Sequence, residues 1–162
     1  MNDLAELWQT HCAIGLRLLG GLPAGAMAVP VGRDGRQVRQ LFMHCNDLRL
    51  RWVANTAPDL AAGRPWFEQQ PERATNADDL HAALERSGAA VGALIARCAE
   101  AGTGVQGFPG SLASFLAYLV AHDAYHWGEA GLALAQAGLP LDAEVALDLW
   151  RGWWGRVVPP GV

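Results

Sequence analysis

The sequence predicts an all-α protein: a four-helix bundle with a short extra helix at its C-terminal end. Three observations carry this expectation. Apolar residues recur every three or four positions through five separate stretches, the period of a helix with one buried face. No segment alternates apolar and polar residues as a half-buried strand does, and no internal repeat is visible. Glycine, proline and small polar residues fall between the periodic stretches, where helix caps and stops belong. With 162 residues, the chain has the length of one domain, taken as residues 1–162, with a sizeable core.

The first stretch, Asn2 to Gly21, puts Leu4, Leu7, Trp8, His11, Cys12, Gly15, Leu18 and Leu19 on one stripe. Asn2 or Asp3 is a candidate cap, and Gly20-Gly21 with Pro23 ends the helix. His11 falls on the buried stripe, where it reads first as a hydrogen-bonded core histidine and second as a further polar group for a site. Leu22 to Arg33 is a loop. Asp34-Gly-Arg-Gln37 resembles a capping box, with Asp34 as N-cap and Gln37 three positions on, opening a second helix to about Asn55. Its inner stripe is Leu41, His44, Leu48 and Trp52, with Cys45 beside it.

Thr56 to Thr75 is a long connection containing Pro58, Gly63, Pro65 and Pro71. A connection of that length lets the next helix of a bundle run parallel to the last. Trp66-Phe67 within it either tucks onto the bundle or forms part of a lid. Thr75 or Asn76 caps a third helix that continues to about Ala99, with Leu80, Leu84, Ala90, Val91, Leu94, Ile95 and Cys98 as its apolar positions. His81, among Asp78, Asp79 and Glu85, reads as a surface residue. The loop Gly102 to Gly110 is glycine-rich but has no GxxxxGK[ST] and follows no strand, so it is no phosphate cradle.

The fourth helix spans Ser111 to Gly138, with Ser111 as N-cap and Gly138-Leu139-Pro140 as the stop. Leu112, Phe115, Leu116, Leu119, His122, His126, Ala130 and Ala133 share its buried face. A short fifth helix from Asp142 to about Gly155 carries Val145, Leu149, Trp150, Trp153 and Trp154, and Pro159-Pro160 closes the chain. The tryptophans suit a cap over the bundle end or a contact with a partner subunit.

Composition removes several classes. The net charge is −4 with no basic run, which argues against a nucleic-acid or anionic-membrane surface. All 12 basic residues are arginine, consistent with G+C-rich codons and a bacterial source. The longest apolar run is far short of the roughly 20 residues that span a bilayer. MNDLAELWQTH lacks the basic flank and apolar core of a secretory signal, so a cytoplasmic location is expected. Cys12, Cys45 and Cys98 are odd in number and widely spaced, the pattern of free thiols in a reducing compartment.

His122 and His126 stand one helical turn apart on a buried face, and His44 lies on the buried face of another helix. Three neutral imidazoles make a tripod for one divalent metal ion, Zn²⁺, Ni²⁺ or similar, and leave a position for water or substrate. Cys45 is a rival ligand or a neighbour of the site, though it points about 100° around the helix from His44. Asp123 either accepts an imidazole N–H behind the metal or faces solvent. Glu129, three residues beyond His126, either approaches the site as a base or backing group or pairs with an arginine. HDAYH is a poor zincin HExxH, because aspartate is one methylene short and no downstream ligand motif follows. A di-iron carboxylate bundle needs two ExxH motifs, and the chain has none.

AYLVAHDAYHWGEAGLALAQAGLPL resembles the last bundle helix of the DinB/YfiT-like superfamily of metal-binding four-helix proteins, which carries an HxxxH there followed by Gly and an apolar stretch. FMHCNDLRLRW resembles the segment of the second helix that supplies the family's third histidine. The likeness runs from about Val38 to Trp153 and is strongest around the fourth helix. It implies metal ligation by His44, His122 and His126, an up-down-down-up bundle, one divalent ion and frequent homodimers. It also implies enzymes that join a low-molecular-weight thiol to a small electrophilic substrate, or isomerise with such a thiol. Many relatives have a basic residue after the second histidine, where this chain has Trp127. The expected function is a metal-dependent enzyme of the thiol S-transferase or isomerase type, with a hydrolase also open. The alternative is a stress-linked metal-binding protein without turnover. Fold resemblance leaves the catalytic residues unassigned.

Overall fold

The computed structural model describes residues 2–32, 35–68, 76–108 and 110–154. Its helices are α1 (Asn2–Gly20), α2 (Val38–Thr56), α3 (Pro58–Ala61), α4 (Ala77–Ala101), α5 (Leu112–Gln136) and α6 (Ala143–Trp154). The four long ones match the periodic stretches to within a few residues. The all-α expectation therefore holds, with one small exception. Strands β1 (Pro30–Val31) and β2 (Arg36–Gln37) pair antiparallel, Pro30 opposite Gln37. A two-residue strand is too short to show alternation in a sequence. No helix among the described residues is long and apolar enough to cross a membrane.

That strand pair displaces the start of α2. The expected cap Asp34 lies outside the described residues, and Gln37 is the N-cap and not the third helical position. The chain continues its pairing through Gln37, and Val38 N–H still donates to Val29 O at 3.0 Å, before the helix turns in. The reciprocal bond of a capping box is then made three residues later than expected, by Gln37 N–H to Gln40 Oε1 at 2.7 Å. The other starts follow expectation. Asn76 Oδ1 accepts the Asp79 N–H at 2.9 Å to open α4, and Ser111 Oγ accepts the Ser114 N–H at 3.1 Å to open α5.

The long connection after α2 is sewn down as far as Glu68, and its remainder, with Pro71, lies outside the described residues. Pro58 starts the single turn of α3, where a missing N–H costs nothing. Buried Asp47 accepts the N–H groups of Phe67 and Glu68 at 3.0 and 2.6 Å, and buried Asn46 donates to Pro65 O at 3.1 Å. Phe67 is buried with Leu41, Phe42, Leu80 and Leu84, so it tucks into the core and is no part of a lid. Asn46 and Asp47 do the work of a local strand here: they satisfy one carbonyl and two N–H groups of a segment with no ladder of its own.

Trp8 lies against Gly92, Cys12 lies against Gly88, and Trp8 Nε1 donates to Gly88 O at 2.8 Å, so α4 runs antiparallel to α1. His44 meets His126 and Trp52 meets Phe115, so α5 runs antiparallel to α2. The core is filled in two clusters, one around Phe42, Leu80 and Leu134 and one around Leu50, Leu94 and Phe115. The three cysteines are free.

The terminal helix corrects one expectation. It lies along the side of α1 and does not cap the bundle end. Val145 packs on Gly21, Asp148 pairs with Arg17 at 2.7 Å, and Gly152 packs on Ile14. A Cβ at Gly21 or Gly152 would stand 2.5 or 2.6 Å from its neighbour, so glycine sets how closely α6 approaches.

Glycine positions in this structure differ by what surrounds them, and that difference can be measured. A Cβ at Gly15 would sit 2.5 Å from Trp127 Cζ2, whereas one at Gly128 would meet nothing within 4 Å. Gly15→Ala is expected to lower the unfolding free energy by about 1–3 kcal/mol through overpacking. Gly128→Ala is expected to raise it by up to about 1 kcal/mol through helix propensity. Urea unfolding of both variants checks the contrast, and equal signs would refute it.

Candidate metal centre

The antiparallel meeting of α2 and α5 brings together the three histidines that their buried faces single out. His44 comes from the second turn of α2, and His122 and His126 from consecutive turns of α5. Their ring centroids are 4.6–5.1 Å apart. One ring nitrogen from each lies within 4.8 Å of the other two, and His44 Nε2 is 3.2 Å from His122 Nε2. His126 is buried, while His44 and His122 are half-buried, so the cluster is open to solvent on one side.

The outward nitrogens of two of these rings are held by carboxylates. His126 Nδ1–H donates to Glu129 Oε2 at 2.7 Å, and His122 Nδ1 faces Asp123 Oδ1 at 3.4 Å. A carboxylate only accepts, so each ring keeps its proton on Nδ1 and turns an Nε2 lone pair inward. That is the arrangement by which proteins orient imidazole toward a cation. The donor set therefore fits a divalent ion. Two ligands at about 2.0–2.1 Å from a tetrahedral ion are about 3.3 Å apart, close to the spacing of the two Nε2 atoms. Burial pushes the His44 pKa down, and the neighbouring His126 and His122 rings push it further, which keeps that imidazole in the neutral form a metal needs.

Asp123 does not face solvent. It is fully buried, and its Oδ2 collects Arg49 Nη2 at 2.6 Å, Arg49 Nε at 3.1 Å and His11 Nε2 at 3.1 Å. Burial alone would raise its pKa. The Arg49 guanidinium and the hydrogen bonds from His11 and His122 outweigh that and hold it well below the usual carboxylate range. Arg49 stands over the Trp8 ring and donates to Leu84 O, so one cation ties α2 to α1, α4 and α5. Its sequence signal was an arginine one turn beyond Cys45, next to the apolar stripe; as a charge, it reads as solvated.

The remaining candidates sort by the same contacts. Glu129 backs His126 and also binds the hydroxyl of Tyr125, a bond that pushes the phenol's pKa up. Cys45 lies near His122 and Asp123, but it is fully buried, and burial followed by the Asp123 charge pushes its thiol well above the ordinary range. A thiolate there would face a carboxylate, so the three-histidine set is the better ligand group. His11 is the core histidine the stripe implied: it is bonded to Asp123 and stacked on Trp127 at 4.7 Å. His81 is exposed beside Glu85.

The depressed Asp123 pKa makes the fold sensitive to acid in a defined window. Its stabilisation is whole above the unfolded carboxylate pKa of about 4 and is lost as pH falls below it. The lowered pKa values of His11 and His44 add losses of the same sign, beginning near about pH 6.5. In metal-free protein, Asp123→Asn should flatten unfolding free energy below about pH 4, as read by urea unfolding across pH. Arg49→Met should cost about 3–5 kcal/mol at neutral pH, because it leaves the carboxylate buried alone. An unchanged acid limb, or a neutral Arg49→Met, would refute the buried pair as a source of stability.

A sequence model of the DinB family matches residues 1–151. No curated protein and no solved structure gives a match to the chain. The matched residues contain all four long helices and every histidine of the cluster. The chain belongs to the DinB family.

Proposed function

We propose that the chain binds one divalent ion through His44, His122 and His126 and works as a metal-dependent enzyme on a small thiol and an electrophile. The observation that carries the metal reading is the tripod itself: three ring nitrogens within 4.8 Å, two with a carboxylate behind them. Three protein ligands with an open side are the pattern of catalytic rather than structural sites. A bound ion there would favour the thiolate of a coordinated thiol at neutral pH. The chain's own part is to hold His122 and His126 in one tautomer through Asp123 and Glu129, with His44 facing them from α2. It also leaves a half-buried mouth between α2 and α5 for a small substrate. No side chain is assigned a direct role in the reaction.

The same reading takes α1, α2, α4 and α5 as an up-down-down-up four-helix bundle in one domain. Its support is the pairing of like ends of α2 and α4: Leu41 and Phe42 share a cluster with Leu80 and Leu84, and Leu50 and Val53 share one with Leu94 and Cys98. The homodimer implied by the family resemblance belongs to this proposal, and sedimentation at high micromolar concentration tests it.

Elemental analysis of protein purified without a metal-affinity tag should find about one divalent ion per chain. Ala at His44, His122 or His126 should each abolish most of that content. A second substitution among them should add little, because the three act as one unit. His81→Ala should leave the content unchanged. Equal metal occupancy in the wild type and His122→Ala would end the tripod reading. A panel of cellular thiols with a model electrophile then separates enzyme from binder. Thiol consumption that disappears with the metal supports turnover, and none across the panel leaves a metal-binding protein without it.

A further inference from the structure

On the far side of α5 from the histidine cluster, α1, α5 and α6 enclose a second cavity of about 510 Å³. Among the described residues, His11 is the one titratable side chain in its lining; the walls are Trp127, Trp150 and Trp153 with Ile14, Leu18 and Leu149. Volume and lining are those of a site for a small organic molecule. Three features of this cavity have no explanation in packing.

The first is His11, which lines the cavity and is 1% exposed. Its Nε2 is engaged by Asp123, but its Nδ1 is buried and has no hydrogen-bond partner among the described residues. Because Asp123 is an anion and only accepts, Nε2 carries the ring proton and Nδ1 is left as a bare acceptor. A buried acceptor without a donor is costly and rare. The second feature is a pair of glycines. Gly128 and Gly131 sit in the body of α5, where glycine is the poorest helix former after proline, and a Cβ at either would meet nothing within 4 Å. The tight glycines Gly15, Gly21 and Gly152 have a neighbour to admit; these two have only the cavity. The third is the pair of large rings left in water at its mouth, Trp150 at 60% and Trp153 at 41% exposure.

We infer that this cavity is a binding site for a small, flat, uncharged molecule that carries one hydrogen-bond donor, as a phenol does. The aromatic body lies between the indole rings and against the glycine floor, and the hydroxyl donates to His11 Nδ1 once the indole that covers this atom turns aside. The absence of an acidic, arginine or lysine side chain among the described lining residues selects against an ionised ligand, whose desolvation nothing there would repay. Among the described residues no other buried unpaired group lines the cavity, which selects for a single polar point of attachment. The site is separate from the metal cluster, and its occupancy does not depend on a metal being bound.

Equilibrium dialysis of chelator-treated protein against three probes tests this. The probes are 2-naphthol, 2-methoxynaphthalene, which lacks the donor, and 2-naphthoate, which is charged. One 2-naphthol per chain should bind saturably, at least tenfold more tightly than either of the others. Gly131→Leu fills the cavity from a position with free space and should cut 2-naphthol binding at least tenfold while helicity and thermal stability are kept. His11→Phe should erase the preference for 2-naphthol over 2-methoxynaphthalene. Failure of 2-naphthol to bind, equal binding of the first two probes, or full binding by Gly131→Leu would each overturn the inference. So would a dimer that excludes the probe and is broken by Gly131→Leu, since the occupant would then be a second copy of the chain. Chelation removes the metal from the comparison, so none of these outcomes depends on whether the tripod binds an ion.

Discussion

Asp123 is the charge around which three of the long helices are arranged. It is sealed from water at the meeting of α1, α2 and α5, and each contributes a partner: His11, Arg49 and its own neighbour His122. A buried carboxylate is tolerated only where charge and hydrogen bonds replace its hydration. Here the replacement comes from different elements, so the helices cannot slide past one another without uncovering it. Apolar packing alone is less exacting, because cores of the right volume tolerate many arrangements. The carboxylate gives the bundle a unique register at its middle, and the histidine cluster is built one layer away from it.

This network also explains the division of roles among the histidines. His11 and His122 both reach Asp123, yet only His122 presents its other nitrogen to a second imidazole. The difference comes from which helix faces which. α1 delivers His11 among the indole rings of Trp8, Trp127 and Trp153, with no second imidazole among the described residues beside it. α5 delivers His122 toward α2, where His44 stands. Trp127, in the position where many relatives of the resembled superfamily have a basic residue, stacks on His11 and so belongs to the indole-lined side of α5.

Periodicity in the sequence sufficed for the long helices and for the three clustered histidines, because both depend on which residues share a helix face. The HxxxH of α5 and the seam of α2 place His122, His126 and His44 inward before any contact is known. What the pattern could not show was pairing across helices. Arg49 and Asp123 are charged residues that would ordinarily be solvated, and their burial exists only because each finds the other across α2 and α5. Asn46 and Asp47 escaped notice for the same reason, since their partners are backbone groups some twenty positions away, the Pro65 carbonyl and the N–H groups of Phe67 and Glu68. The two-residue strands were too short to leave a period, and the side-on docking of α6 depends on close approaches at Gly21 and Gly152 that composition does not foretell.

The two α5 histidines of the cluster differ in what stands behind them. His122 is backed by a carboxylate with no exposure, whereas Glu129 behind His126 is only partly buried and is joined to Tyr125, which is 64% exposed. The hydrogen bonds behind His126 thus lead outward to bulk water through a carboxylate and a phenol, whereas the carboxylate behind His122 leads inward to Arg49 and His11. The two imidazoles, one turn apart on the same helix, therefore rest on supports of different stiffness: local motion at the surface reaches the carboxylate behind His126, while the one behind His122 moves only with the buried contacts of three helices.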